Sequence, residues 1–559
     1  MVKKRKYKDI LRFTGIIALL FLVNFIAGKK YSRIDLTQDK RFTLTDATVN
    51  LIEGLNDVVE FKVYLDGKSL PAKYVEFREE IKSKLEEFRN LNPENIEYEF
   101  IDPHAVENPE QFIVELRKKG LLFTNDVEKT ESGVNQIQVI PGLMMYYKGK
   151  PFPVNLLKAS IGKSIESIEY ELVSSIKILS TPPQNKKNIG LLQGHGELFP
   201  EEIGDLSGSI FQFYNPAIVR LVDSTGKIFT GHIDQTDVLL IAKPIIPFSN
   251  AEIFVLDQLV MRGGKIIWMI DQVGADNDSL RNSNFFIADS RKLNIEELLY
   301  HYGVRINTNL LQDAQCGLIP AQVGIEANRE PKFELVPWFY APIISSENNH
   351  IINTNIDPVK LNFANTIDTI PSAHIKKTIV LSSSNYSKVL KVPYRVSLEP
   401  SIYAAQNGLD KKNFKDKSKA VAVLLEGSFD SYFKNRITPG NTSFLKSSKE
   451  TKMLVISDGD IARNDFNPNN GHMEPLGMDK YLKYLFDNKK FLLNALNYLT
   501  DDAEVIPARC KRIEMRLLNK GDVKDNKNKI QIINIALPLV FITLFGLIYN
   551  FIRIRKYAK

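Results

Sequence analysis

Cysteine is nearly absent: 559 residues hold two, Cys316 and Cys510. They stand far apart with no C-x-x-C, which excludes a thioredoxin-type redox pair and a zinc ribbon. One disulfide in an oxidising compartment and two separate thiols both remain open. Histidine is scarce too, at seven. None falls in H-x-x-x-H or H-E-x-x-H, so no zinc site is expected and no metal or cofactor is assigned. No G-x-S-x-G marks a nucleophile at a strand-to-helix turn. Gly162-Lys163-Ser164 has the end of a phosphate loop without its beginning, because Leu157 stands where glycine is needed.

Charge is lacking in two long stretches, one at each end. Ile530 to Ile552 carries no charged residue and is followed by Arg553, Arg555, Lys556 and Lys559. At about 1.5 Å per residue this run spans about 35 Å, enough to cross a bilayer core of about 30 Å with some tilt. Phe13 to Gly28 is a second apolar run, preceded by Lys3, Lys4, Arg5, Lys6, Lys8 and Arg12. A cleaved signal peptide wants small residues at its boundary, and Phe25 and Ile26 stand there instead, so an uncleaved anchor is expected. Basic outer flanks place both ends in the cytoplasm by the positive-inside rule. The formal charge of +7 resides largely in those flanks, which argues against nucleic acid as a partner.

The expected order is a basic tail (1–12), a first membrane helix (13–28), a connector (29–56), a first α/β domain (57–180), a linker (181–187), a second α/β domain (188–505), a return connector (506–529), a second membrane helix (530–552) and a basic tail (553–559). In the first domain Val58 to Leu65 and Ile96 to Ile101 read as strands. Ala72 to Leu91 reads as a helix with Val75, Ile81, Leu85 and Phe88 on one face, and Pro109 to Lys119 as a short helix. Gln136 to Tyr147 with Pro151 to Leu157 reads as a hairpin, and Ser164 to Leu179 as a closing helix. The order β-α-β-α-β-β-α is that of a thioredoxin-like fold without its cysteines. Thr45 is a candidate helix N-cap, with Asp46 in the first turn.

The second domain holds seven strand candidates: Asn188 to Gly194, Ala217 to Val222, Val238 to Lys243, Lys265 to Asp271, Thr378 to Ser383, Ala420 to Gly427 and Met453 to Asp460. Continuous apolar runs of this length suit parallel strands covered on both faces, hence a Rossmann-like doubly wound sheet. Residues 284–372, rich in proline and asparagine, read as a loop-rich insertion around a helix at Asn294 to Tyr302.

Two turns at strand ends carry candidate chemistry. Gly194-His195-Gly196-Glu197 follows the first strand, at the sheet edge where open α/β folds bind ligands. His195 and Glu197 could bind a ligand or could hydrogen-bond within a tight glycine turn; without a nucleophile, catalysis is not expected. Ser457-Asp458-Gly459-Asp460 ends the last strand, and Asp458 with Asp460 is too few ligands for a calcium loop, so a capped turn is expected.

Several segments together give a family resemblance: RIDLTQDKRFTLTDAT after the first anchor, IGLLQGHGEL opening the second domain, LVMRGGKIIWMID, VPWFYAP, LSSSNYS, LLEGSFDSYFKNR, ISDGDIARN, and FLLNALNYLTDD near the end. In this order the chain resembles the auxiliary, so-called substrate-binding, proteins of gliding-motility-associated ABC transporters of Bacteroidetes, the GldG family. The resemblance implies a non-catalytic inner-membrane component, largely periplasmic, partnered by a multi-span permease, a cytoplasmic ATPase and other periplasmic motility proteins. Within that picture Arg33, Asp35, Leu36 and Thr37 form a coupling connector between the first helix and the periplasmic module. The competing expectation is a periplasmic saccharide- or peptide-binding module using His195, Glu197, Asp458 and Asp460.

Overall fold

The computed structural model describes residues 13–19, 43–500 and 527–557, apart from 68–69, 131–132, 158–160, 223–227, 229–230, 232, 281–282, 326–329, 346–349, 355, 373, 440–443 and 468–470. Residues 43–511 group as one compact unit, and the end segments, 1–42 and 512–559, as another. Residues 13–19 of the first apolar run are helical. The rest of the expected first span, Arg33, Asp35, Leu36 and Thr37, and Cys510 lie outside the described residues.

The compact unit opens with helix α1 (Asp46–Glu53). Thr45 caps it, its hydroxyl accepting from the Thr48 amide. Strands β1 (Val59–Val63) and β2 (Ile96–Phe100) pair in parallel across helix α2 (Ala72–Leu91). Helix α3 (Pro109–Lys118) and the hairpin β3 (Thr124–Thr130) with β4 (Gly133–Val139) follow. Then come β5 (Gly142–Tyr147), β6 (Lys150–Asn155) and helix α4 (Ile161–Ser180). The sheet order is β2-β1-β5-β6, with β5 antiparallel to both β1 and β6.

Two expectations change here. The stretch Gln136 to Tyr147 is not one strand: Pro141, which has no amide to donate, separates β4 from β5, and the two belong to different sheets. In α2 the buried face is Tyr74, Phe77, Ile81, Leu85 and Phe88, at the spacing of 3 and 4 that one helix face requires, and Val75 points outward.

All seven candidate strands of the second region enter one sheet: β7 (Asn188–Leu192), β8 (Asn215–Val219), β9 (Val238–Ala242), β10 (Lys265–Met269), β11 (Ile375–Ser382), β12 (Ala420–Asp430) and β13 (Ser447–Ile456). The order is β8-β7-β9-β10-β13-β12-β11. From β8 to β13 the pairing is parallel, as the continuous apolar runs suggest; β12 and β11 are antiparallel additions that make the sheet a mixed one.

Both faces are covered, which is why the strands are apolar throughout. Val238, Leu240 and Ala242 share a core with helix α5 (Gly204–Phe213), while Leu239 and Ile241 share the opposite one with helix α6 (Asn250–Met261) and helix α7 (Glu296–Tyr302). Helix α8 (Glu399–Asn407) lies between β11 and β12, and helix α9 (Asn488–Leu499) lies against the α5 face.

The insertion, expected to be loop-rich, is rich in strands. Cys316–Ile325 and Pro331–Ile344 pair as a long antiparallel arm with two register shifts. Its prolines, Pro320, Pro331, Pro337 and Pro342, make the stretch read as loop from residues alone, yet an arm with irregular register accommodates residues that cannot donate. Asn309–Asp313 pairs with Ser387–Lys391, and Phe285–Ser290 with Tyr394–Ser397.

The terminal unit holds helix α10 (Lys527–Tyr557). Within it Gln531–Arg555 is long and apolar enough to cross a membrane, with Pro538 inside the helix and its apolar side chains exposed.

Candidate functional site

In the strand order β8-β7-β9-β10 the chain reverses direction across the sheet between β7 and β9, and ligands of open α/β sheets settle outside the carboxyl ends at such a point. The Gly194–Glu197 turn leaves β7 there. Gly194 and Gly196 hold φ of 134° and 71°, values that side chains resist, and a Cβ on Gly196 would stand 2.4 Å from Ile245. The turn thus closes tightly onto the segment after β9, whose Ile245 and Ile246 amides donate to the His195 carbonyl at 2.8 and 2.9 Å.

His195 is 3% exposed. Its ring stacks on Phe248, centroids 3.9 Å apart. Nε2 meets Glu252 Oε1 at 3.1 Å and Nδ1 faces Glu197 Oε1 at 3.6 Å. The other Glu197 oxygen accepts from the Gly194 and His195 amides. Glu252 is the third residue of α6, where it closes a capping box with Ser249. Burial pulls the His195 pKa down, but the hydrogen bonds and charges of Glu197 and Glu252 outweigh it, and the net direction is up. For Glu252, burial pushes the pKa up while Ser249 and His195 bring the net direction down. The arrangement is a buried imidazole between two carboxyl groups, sealed by an aromatic ring. No serine, threonine or cysteine is bonded to the His195 ring among the described residues.

A second cluster lies at the ends of β9, β10 and β13. Lys243 directly follows β9 with φ 57°, a left-handed conformation uncommon for lysine. Its Nζ reaches Asp460 at 2.6 Å and Asp271 at 3.5 Å. The Gly459 amide donates to Asp271 at 2.6 Å, and a Cβ on Gly459 would stand 2.7 Å from the Lys243 side chain, so the two segments touch backbone to side chain. Asp458 spends both oxygens on amides, those of Asp460 and Asn362, each at 2.7 Å. Burial, then the neighbouring Asp460, raises the Asp271 pKa to about 6; burial with Asp271 and Asp460 drives Asp458 up as well. Lys243 is depressed by burial but raised overall by Asp271 and Asp460.

The structure therefore divides the four sequence candidates. His195 and Glu197 form one buried cluster, while Asp458 and Asp460 belong to another. Sequence reading missed Phe248, Glu252, Lys243, Asp271 and Asn362. Only Glu252 had a local signal, the S-x-x-E pattern from Ser249 before an apolar helix. Among the described residues no group of three or more His, Cys, Asp or Glu is placed to hold a metal ion.

Beyond Asp460 the carboxyl edge opens into a cleft of about 880 Å³. One wall comes from the turns after β7 and β13, another from the insertion, including Trp338 and Asn362. The volume is at the upper end of the range for ligand pockets.

A two-faced α/β sheet with a ligand-sized cleft at its carboxyl edge is a frame for binding and for scaffolding. Residues 186–495, more than half of the chain and nearly all of that sheet region, match the family described as an ABC-type uncharacterized transport system, auxiliary component, and the chain belongs to that family. Residues 38–146 match a family described only as a domain of unknown function. An uncharacterized protein of Borreliella burgdorferi is 20% identical over 562 residues, with 99% of each chain covered. A solved structure titled mmIFT52 N-terminal domain covers 56% of this chain and 97% of its own at 15% identity, with a TM-score of 0.32, too low to carry an argument about fold.

Proposed function

We propose that the chain is a non-catalytic auxiliary subunit of an ABC-type membrane complex, working beside a multi-span permease and a separate cytoplasmic ATPase. The observation that carries this is the family match over residues 186–495 in a chain that also bears a helix able to cross a membrane. In this reading both termini are cytoplasmic and the sheet unit is periplasmic, supported by the basic residues outside each apolar run. The β2-β1-β5-β6 sheet is a thioredoxin-like scaffold, and the larger sheet is Rossmann-like with an antiparallel edge. Arg33, Asp35, Leu36 and Thr37 couple the first membrane helix to the periplasmic unit. A role in gliding motility, alongside other periplasmic motility proteins, rests on the motif resemblance.

The test is a detergent pull-down of the tagged full-length chain from native membranes, with mass spectrometry of co-purifying proteins. Recovery of a permease and an ATPase is expected; recovery of this chain alone, monodisperse, overturns the reading. Substituting the connector residues is expected to uncouple function while leaving the complex assembled. Unchanged gliding in those variants removes the lever role.

A further inference from the structure

We propose that the hairpin of residues 477–486, which leads into α9, rests on an anionic lipid surface through its lysines and its exposed aromatic and aliphatic side chains. Its two rungs pair Met478 with Leu485 and Asp479 with Tyr484. Residues 480–485, KYLKYL, are six consecutive exposed positions with no acid among them. Large apolar side chains are ordinarily scattered singly over a surface. Here Met478, Tyr481, Leu482, Tyr484 and Leu485 stand together in one short hairpin, each 36–44% exposed. The backbone that carries them is fixed from inside. Buried Asp479 accepts from the Tyr481 and Leu482 amides at 2.9 Å each and from Lys360 Nζ at 2.6 Å. Gly477 holds φ 94°, and a Cβ there would collide with the carbonyl of buried Phe486.

Charge decides between a bilayer and a protein as the occupant. Lys480 and Lys483 alternate with the apolar residues. Lys480 Nζ lies 5.2 Å from the centre of the Tyr481 ring, and its contact with Asp465, at 3.8 Å, is between two well exposed side chains. The Tyr484 hydroxyl approaches the Asp357 carboxylate at 3.4 Å. The lysines that follow bond within the unit, Lys489 to Asp205 at 3.0 Å and Lys490 to Asp487 at 3.6 Å. Lysine is depleted from protein interfaces, which bury its ammonium. At a bilayer the lysine stem lies along the apolar boundary while the ammonium reaches lipid phosphates, and tyrosine sits at headgroup level. The same chain carries Gln531–Arg555, long and apolar enough to cross a membrane, so the hairpin is tethered to the surface it meets and a weak contact suffices. The assignment rests on that attachment and not on assembly with a permease and an ATPase.

The test reconstitutes the full chain into liposomes of phosphatidylcholine and phosphatidylglycerol whose acyl chains carry bromine, which quenches tryptophan on contact. Trp268 and Trp338 are buried, so the unaltered chain supplies the background. Tyr481→Trp and Leu482→Trp, at exposed positions, are expected to be strongly quenched. Ile437→Trp is the control: Ile437 is 96% exposed, and neighbouring Phe433 belongs to the core on the other face of the sheet from Leu476 at the foot of the hairpin. It is expected to stay unquenched. Replacing both lysines, K480Q with K483N, is expected to remove about half or more of the hairpin signal; asparagine tolerates the φ of 50° at Lys483. Salt at about 1 M is expected to do the same. A chain that does not float with liposomes overturns the attachment itself. A chain that floats with both hairpin tryptophans unquenched, with Ile437→Trp quenched equally, or with full quenching in pure phosphatidylcholine or in the lysine variant overturns the docking alone. Hairpin tryptophans that stay unquenched but shift to the blue once native membrane proteins are added mark a protein contact and likewise overturn it.

Discussion

Two charged clusters share one edge of one sheet and differ in what they face. Around His195 every partner is inside: two carboxyl groups and a stacked ring close on the imidazole, two backbone amides bond its carbonyl, and the residue is 3% exposed. Around Asp460 the cluster begins in the interior, at Asp271 and Asp458, and ends in the wall of the cleft. The comparison teaches that position at a topological switch point does not by itself give an open cleft. The tempting Gly-His-Gly-Glu motif clamps two loop segments together, and the opening lies one step along the sheet.

The sharpest way to break this contrast is His195→Ala. It leaves Glu197 and Glu252 buried without the imidazole they face, and a broken buried pair costs about 3–5 kcal/mol. Urea unfolding followed by tryptophan fluorescence reads it directly, since Trp268 and Trp338 are both buried in the sheet unit. A loss below about 1 kcal/mol would mean that the clamp is not structural.

Next in size is Gly459→Ala. The new methyl would meet the Lys243 side chain at 2.7 Å and its Cα at 3.0 Å, an overpacking expected to cost about 1–3 kcal/mol in the same titration.

The pH response separates the clusters by sign and window. The His195 pKa is raised above its unfolded value of about 6.5, so its contribution is full below that pH and is lost as pH climbs through the folded value. Asp271 is raised to about 6, so the folded state holds its proton where the unfolded chain does not, and that contribution is full below about 3.8 and lost on passing about 6. Both therefore cost stability as pH rises, in successive windows. Asp271→Asn is expected to flatten the profile up to pH about 6, and His195→Gln the part above about 6.5, each read as the change in urea midpoint across the pH series.

The smallest effect is expected in the wall of the cleft. Glu201→Gln and Asp278→Asn, at exposed positions, should each move stability by no more than about 0.5 kcal/mol, as surface substitutions do. A larger loss would place these carboxylates with the closed cluster.

What could be read from the residues follows the range of the forces involved. Strand existence is local, and all seven apolar runs of the second region became strands of one sheet. Strand direction is not local: nothing in Ala420 to Gly427 distinguishes it from Val238 to Lys243, yet one is antiparallel to its neighbours and the other parallel. The arm from Cys316 to Ile344 was hidden by its prolines, and the β3–β4 hairpin by the charged and amide residues of TNDVEKT and GVNQIQV. In the site, His195 and Glu197 announced themselves through flanking glycines. Phe248 and Glu252 lie some fifty positions away and reach His195 only because β9 lies beside β7.

The start of α1 has a mechanical meaning. Glu169, in the middle of α4 and 2% exposed, accepts from the Thr45 amide at 2.9 Å and the Thr48 hydroxyl at 2.8 Å. Those bonds moor the chain, just as it enters the compact unit, to the waist of a twenty-residue helix packed on the first sheet. A pull on the backbone at Thr45 would therefore bear on α4, a helix about 30 Å long, as well as on α1.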